Sequence, residues 1–423
     1  MYFFQILEKE IHEIKQVFMN EIFDVVIIGA GPAGGQCARE LSAKGYKTLL
    51  VERYKSFREN NFSTAGMTMT PLSEFKIPEA IIGAYWKDIT IQCSNSEFEW
   101  YGSEKKGAVL DFGLLKEYLA NESVKTGGEL LTGYRYVKKT YEAGIVSAEF
   151  KNTETNEKLK VKAKLLVDAT GPLRKVMFDS KEEQPDMVCA SGIEYLIKVD
   201  QKVYDKYKEL MVFFLGEKWA LKGYSWILPM ENQILKVGSG KMHIQIKDEE
   251  ITTQTVKKLT QKIIKEYLHV DEYELLDVHG GTLRYSPSIQ DVFYKNKVVA
   301  IGDAVSTVNP LGGEGIRYAM QNASLAVEHI EMYLETGNGH FEKYRKKWRN
   351  KNIVKWQVSE AVGRRVYGKY NDDKIEKRMR LFHQNSSIDG LIDVIFRFKF
   401  KGLVFRFVKD YTRKLFKKSL RFG

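Results

Sequence analysis

The sequence predicts an α/β chain (α+β overall), in which a mostly parallel sheet with helices is interrupted by an antiparallel sheet and followed by a helical C-terminal region. Three observations carry that prediction. A short β-branched run ending in glycine opens a strand–helix–strand unit near the N-terminus. Two later apolar runs, far apart in the chain, repeat the pattern of strand followed by glycine-rich loop. Between them lie stretches in which apolar and polar residues alternate.

In chain order, residues 1–20 mix Glu8, Lys9, Glu10, Glu13 and Lys15 into a short amphipathic extension, unlike the unbroken apolar core of a secretory signal. Asp24-Val25-Val26-Ile27-Ile28 reads as a buried parallel strand. Residues 29–45 read as loop and helix, with Ala33, Cys37 and Leu41 four apart on one side. Residues 48–51 give the next strand, ending at Glu52. The run Leu165-Leu166-Val167 leads into Asp168-Ala169-Thr170-Gly171-Pro172. Val298-Val299-Ala300-Ile301 leads into Gly302-Asp303 and then Asn309-Pro310-Leu311-Gly312-Gly313-Glu314-Gly315, followed by a helix over about 316–333. The alternating stretches 90–101 and 224–240 read as strands of a second, antiparallel lobe. The expected division is therefore an extension over 1–20; a discontinuous nucleotide lobe over 21–85, 105–172 and 280–340; a substrate lobe over 86–104 and 173–279; and a basic helical region over 341–423.

Composition bounds the function. A chain of 423 residues can bury two or three lobes, and 43% hydrophobic with 29% charged residues is ordinary for a globular protein. Cys37, Cys93 and Cys189 form no CxxC pair, and the seven histidines show no HxxxH or HExxH spacing, so neither a disulfide framework nor a metal site is expected. No apolar run nears the roughly 18 residues of a spanning helix. These features suit a cytoplasmic protein that, if it meets a membrane, lies peripherally on it. The net charge of +11 is concentrated at the end: residues 341–423 hold 24 Lys plus Arg against 8 Asp plus Glu, a net of +16, which leaves −5 for the rest.

The chemistry starts at Gly29-Ala30-Gly31-Pro32-Ala33-Gly34, a GxGxxG between strand and helix with Glu52 18 residues beyond Gly34. Gly29 allows the tight turn, Gly31 lets the backbone approach a pyrophosphate, and Gly34 lets helix and strand pack closely, as in a Rossmann-type lobe. The helix N-terminus offers N–H groups and partial positive charge to phosphates. Glu52, with Arg53 beside it, is placed to accept from ribose hydroxyls. In the second glycine-rich segment, Asp303 follows Gly302 at a strand end, where it can accept from ribityl hydroxyls. The loop Pro310, Gly312, Gly313, Gly315 and Ile316 then opens a helix that can face the pyrimidine edge of a flavin. Together the segments predict FAD, with Asp168 and Gly171 in the loop between them.

The three markers resemble the geranylgeranyl reductase family, a branch of the flavoproteins sharing the p-hydroxybenzoate hydroxylase fold. Tyr224-Ser225-Trp226-Ile227-Leu228-Pro229 is similar to that family's YxWxFP motif. The resemblance covers about 22–340. It implies an FAD enzyme that reduces C=C bonds of an isoprenoid or polyprenyl lipid by hydride transfer from flavin N5, with Tyr224, Trp226 and Pro229 at the substrate cavity. By strand alternation alone, Tyr224 and Trp226 read as sheet packing. Two stretches depart from the pattern. Where members carry a cysteine in a CxG-like loop, this chain reads Asn61-Phe62-Ser63-Thr64-Ala65-Gly66. Where they tend to carry an arginine, near Val109-Leu110-Asp111, this chain has Phe112. No side chain stands out as a catalytic acid.

Rival readings remain on the same residues. A flavin monooxygenase usually carries a DG dipeptide where this chain has Asp168-Ala169-Thr170-Gly171. A flavin halogenase would fit the WxWxIP-like segment, but its GES-type loop is missing and Lys76 would have to serve as its lysine. A non-redox carotenoid cyclase and a flavin binder without turnover are further alternatives. With only one dinucleotide loop, electrons would come from a transient NAD(P)H or a protein carrier. Finally, Phe396, Phe400, Leu403, Val404, Phe407, Val408, Tyr411 and Leu415 mark one stripe of a cationic helix. Over 391–420 that helix would either lie on an anionic membrane surface or pack on the body. No recognition fold accompanies the charge, so no nucleic-acid partner is expected.

Overall fold

A computed structural model describes residues 21–400, apart from 60, 181, 221 and 244–254. The first apolar run forms the strand Ile22–Ile28, which is flanked in parallel by Thr48–Glu52 and by Lys158–Asp168. The parallel core continues outward to Val298–Ala300 on one side and Glu129–Thr132 on the other. Residues 25–28, 48–51, 165–167 and 298–300 are buried throughout, which is why these stretches read as unbroken apolar runs rather than alternating ones. The helix Pro32–Ala43 covers one face through Ala33, Cys37 and Leu41, all buried, and packs against the helices Phe112–Lys125 and Ile316–Thr336. The Lys158–Asp168 strand is longer than its apolar core. Its charged first half alternates and pairs antiparallel with Ile145–Asn152, which in turn pairs with Tyr134–Glu142.

A second sheet of seven strands runs in the order Glu274–Tyr285, Val188–Lys198, Ile234–Met242, Gly223–Pro229, Leu210–Phe214, Asp88–Gln92 and Glu97–Trp100. Its pairings are antiparallel except that of Leu210–Phe214 with Asp88–Gln92. The two strands around residue 90 thus join a sheet otherwise built from residues 188–285. A small three-stranded sheet, Gly66–Thr68, Gly107–Leu110 and Ile82–Trp86, brackets those two strands in sequence.

The C-terminal region corrects one expectation. Three helices follow, Phe341–Val366, Asp372–Gln384 and Ile388–Ile395, but the last ends where the stripe was expected to continue. Phe396 stacks on Trp86 at 5.4 Å, whereas Phe398 turns the other way, onto Tyr318 and Trp356. Serving two different cores two residues apart is incompatible with one helical face, and Phe398 takes a left-handed φ of 51°. Residues 391–400 therefore pack on the body. The remainder of the expected cationic helix, and the 1–20 extension, lie outside the described residues. Among the described residues, no helix is long and apolar enough to cross a membrane.

Candidate active site

The nucleotide lobe and the seven-stranded sheet enclose between them a cavity of about 660 Å³, within the usual range for a small-molecule site. Its walls bring together segments that are far apart in sequence: Gly31, Pro32 and Ala33; Arg53; Phe62 to Thr64; Phe112; Thr170 to Leu173; Asp303; and the loop over 308–316. Tyr224, Trp226, Gly192, Gly240, Gly281, Met242 and Leu283 supply the sheet side.

At the nucleotide end the backbone does the shaping. Gly29 has φ +103° and its N–H donates to the Val51 carbonyl at 2.8 Å. A Cβ on Gly34 would overlap the Gly29 carbonyl oxygen, so helix and strand come as close as glycine permits. Gly31 and Gly171 differ: a Cβ on either would meet no protein atom within 4 Å, and both line the cavity. The helix Pro32–Ala43 starts there, with Pro32 at its first position and first-turn N–H groups that have no intrahelical acceptor. This is a cradle for an anionic group.

Glu52 is less open than its sequence position suggests. One carboxylate oxygen accepts from the Ala30 N–H at 2.9 Å and the other from the Tyr54 N–H at 3.1 Å. Each oxygen keeps a second acceptor site, yet Glu52 is not among the residues that line the cavity. Arg53 does line it, with its guanidinium over the Tyr54 ring. Asp168 is fully buried and accepts from the N–H groups of Thr170, Val176 and Met177 and from the Thr170 hydroxyl. It folds the loop that presents Gly171 and does not itself reach the cavity.

Asp303 faces the cavity, accepting from the Thr307 hydroxyl at 2.8 Å. Burial pushes its carboxyl up, opposed by Thr307 and Arg174. A carboxylate in that setting gains from further donors, which ribityl hydroxyls would provide. Gly302, at φ +63°, packs against Ala33 and donates to Asn322. The loop after it is braced from within: the Asn309 side-chain oxygen accepts from Leu311 and Gly312, and its carbonyl from Gly313. The donors at 311–313 are thus already engaged, and the cavity is lined instead by Pro310, Gly313, Gly315 and Ile316, where a new helix starts. Gly312 lies under Phe398, and Pro229 is buried in its strand; neither lines the cavity.

Tyr224 and Trp226 both pack within the sheet and border the cavity. The Tyr224 hydroxyl donates to the Gly312 carbonyl at 2.7 Å, joining the sheet to the loop, and burial pushes it up to about 12. Trp226 crosses over Gly238 and donates to Glu194 at 2.8 Å, while its ring also lines the cavity. Glu194 is fully buried and is shared with His279, which also bonds Asp277. For His279, burial acts downward, but its bonds and charges with Glu194 and Asp277 outweigh it and raise the imidazole above its usual value.

Several contributors had no signal in the sequence. Tyr367, beyond the expected lobes, donates to the Leu311 carbonyl at 2.7 Å and stacks on Tyr224. Lys236, 4% exposed, points its ammonium at the carbonyls of Ser63, Thr64 and Leu110, each at 3.2 Å. Lys116 lies over the Phe112 ring one turn along the same helix, within reach of the Glu52 and Asp111 charges, so a cation stands near the position where the pattern expects arginine. Arg174 pairs with Asp291 at 3.0 Å, both wholly buried, and bonds Ser306, tying the two strand-end loops together. Lys76 is exposed and is not among the lining residues, which removes the support for a halogenase lysine.

With this geometry in view, comparison with known proteins defines the class. The model of the FAD binding domain family matches residues 23–358, and the chain belongs to that family: it is an FAD-binding oxidoreductase. Within it, the chain is a member of the geranylgeranyl reductase family. It is 31% identical over 325 residues to the digeranylgeranylglycerophospholipid reductase of Haloferax volcanii, covering 73% of this chain and 75% of the relative. The enzyme of the same name from Methanocaldococcus jannaschii is 23% identical over 391 residues, covering 88% and 93%. Among solved structures, a geranylgeranyl bacteriochlorophyll reductase-like protein from Thermoplasma acidophilum shares the fold with a TM-score of 0.76 at 19% identity, over 90% of this chain and 96% of that one. A flavin-dependent brominase shares it at 0.62 and 18% identity, over 93% and 100%.

Proposed function

We propose that the protein reduces C=C bonds of an isoprenoid or polyprenyl lipid, using FAD held along the cavity described above. The observation that carries this reading is the cavity's two unlike ends, a glycine cradle for a dinucleotide and an apolar sheet wall with Trp226, Met242 and Leu283. Gly29, Gly31, Pro32, Ala33 and Gly34 would hold the pyrophosphate, with Gly171 beside it. Glu52 and Arg53 would meet the adenosine ribose, Asp168 would act only through its loop, and Asp303 would meet the ribityl chain. Pro310, Gly313, Gly315 and Ile316, after Gly302, would form the flavin's seat, with Gly312 behind it under Phe398. Tyr224, Trp226 and Pro229 would form or support the substrate wall. The chemistry that FAD supplies when bound is two-electron hydride donation from N5 to one alkene carbon, the other carbon taking a proton to complete the saturated bond. The chain's own part is to align the double bond, exclude water and keep the apolar wall dry.

The proposed division into lobes gives 21–85, 105–172 and 280–340 to the nucleotide and 86–104 with 173–279 to the substrate, but the strand Glu274–Tyr285 crosses the boundary at 280 and carries the substrate sheet on to Tyr285. Electrons would arrive from NAD(P)H or a protein carrier. The 401–423 tail, with 8 Lys plus Arg against one Asp, suits an anionic membrane surface, where such a lipid resides. The main test is anaerobic: reduce the bound flavin, then add either a geranylgeranyl lipid or oxygen with halide. Reoxidation by the lipid alone, with a more saturated product, supports the reductase. A long-lived oxygen adduct with a halogenated or hydroxylated product would replace it.

A further inference from the structure

The inner face of the seven-stranded sheet carries two neighbouring rows of residues with opposite character. One row is filled: Trp226, Gly238, Glu194 and His279 are in register across four strands, with the indole folded over Gly238 and the carboxylate bonded to both aromatic neighbours. The adjacent row is stripped. Tyr224 turns away to the Gly312 carbonyl, and the next three positions in register are Gly240, Gly192 and Gly281. Strands lie about 4.8 Å apart, so this bare strip extends for roughly 10 Å toward the sheet's outer strand.

Phe62 covers the outer part of it. A Cβ on Gly192 would come within 2.8 Å of the Phe62 ring, and one on Gly281 would overlap the ring. A Cβ on Gly240 would have nothing nearer than Trp226 at 3.6 Å. The ring meets His279 edge-on at 6.1 Å and itself lines the cavity. It is held from behind, because Lys236 bonds the carbonyls of the next two residues, Ser63 and Thr64. That brace ties a loop with little regular structure to the sheet it lies on.

We propose that Phe62 is the residue that sets how much of an isoprenoid chain this cavity accepts, with Lys236 as the positioning residue that keeps its ring over Gly192 and Gly281. The inference rests on the reductase reading and adds its specificity determinant. An apolar chain lying on the strip from Gly240 meets the Phe62 ring within one strand spacing. Removing the ring opens the remaining length, and enlarging it shortens the accessible part.

The test compares wild type with Phe62→Ala, Phe62→Trp and Lys236→Met as holoenzymes, each first shown to bind one FAD. The kcat/KM is measured for prenyl lipids of increasing isoprene number. Phe62→Ala should shift the ratio of longest to shortest substrate upward by about ten-fold, through KM more than kcat, since small changes in an apolar pocket carry discrimination of that order. Phe62→Trp should shift it downward, and Lys236→Met should move it in the alanine direction. Flavin-replete Phe62 variants with an unchanged ratio would overturn the proposal while leaving the reductase reading intact. A flavin-replete wild type that neither binds nor reduces any prenyl chain would overturn both.

Discussion

Glycine builds both ends of this cavity, for opposite physical reasons. In the nucleotide lobe, Gly29 and Gly34 let backbone approach backbone, and Gly31 leaves its backbone open to the cavity. In the sheet lobe, Gly240, Gly192 and Gly281 keep ordinary strand pairing and simply leave out side chains, so that the sheet face becomes space. The first kind is bound to a spacing in sequence and can be read from it. The second exists only as a register between strands that are some 50 and 90 residues apart in the chain, and no local pattern announces it.

Substitutions can break this comparison one glycine at a time. The largest effect is expected for Gly34→Ala, whose Cβ would overlap the Gly29 backbone carbonyl and crowd the Ala169 methyl. It should lower stability by about 3 kcal/mol and yield flavin-poor or insoluble protein; a soluble, fully loaded variant with unchanged Tm would mean that the strand–helix contact is looser than described. Gly31→Ala comes next and should separate folding from binding. The apoprotein's unfolding free energy should stay within roughly 0.5 kcal/mol of wild type, while FAD affinity, measured by fluorescence titration, falls at least about ten-fold. Equal affinity would remove Gly31 from the pyrophosphate path.

Gly240→Val addresses the other end. Flavin content should remain full while kcat/KM for a prenyl lipid drops about ten-fold; unchanged kinetics would show that substrate does not use the strip. The smallest effect concerns the filled row. Because the folded-state pKa of His279 is raised, the stability it contributes is complete below about 6.5 and is lost as pH rises through the raised value. The Tm advantage of wild type over His279→Gln should therefore be greatest in mildly acidic buffer and narrow toward alkaline pH. A gap that widens with pH would contradict the sign. For the tail, co-sedimentation with anionic vesicles should compare the full chain with one ending at Phe400 rather than near Ser387, since the earlier cut would remove Phe396 and Phe398 from two cores. Equal sedimentation would dismiss membrane attachment.

How far the sequence could be read follows the same division. The first strand–helix–strand unit was legible because buried parallel strands leave continuous apolar runs and the loop's glycines have fixed spacing. The FAD assignment followed because Asp303 and the loop after it repeat that logic. Glu52 and Asp168 were found by position, but their hydrogen bonds turn them toward their own loops, which spacing alone does not reveal. The stripe from Phe396 had helical periodicity, yet tertiary packing divided it between two clusters. Lys236 and Tyr367 were invisible because each acts on residues distant in the chain, and Phe62 showed only as part of the departing 61–66 stretch, without its place over the sheet.

One arrangement has a consequence for how the protein is made. Arg317, at the start of the helix beyond the flavin loop, bonds the Phe396 carbonyl; Phe398 covers Gly312; and Tyr367 bonds Leu311. The loop that begins at residue 309 is therefore not enclosed until nearly 90 more residues have left the ribosome. The first nucleotide-binding turn can form early in synthesis, but its partner must wait. With the flavin seated as proposed, cofactor capture would be a late event in the life of this chain, and a product ending before residue 396 would keep the fingerprint while leaving that loop uncovered.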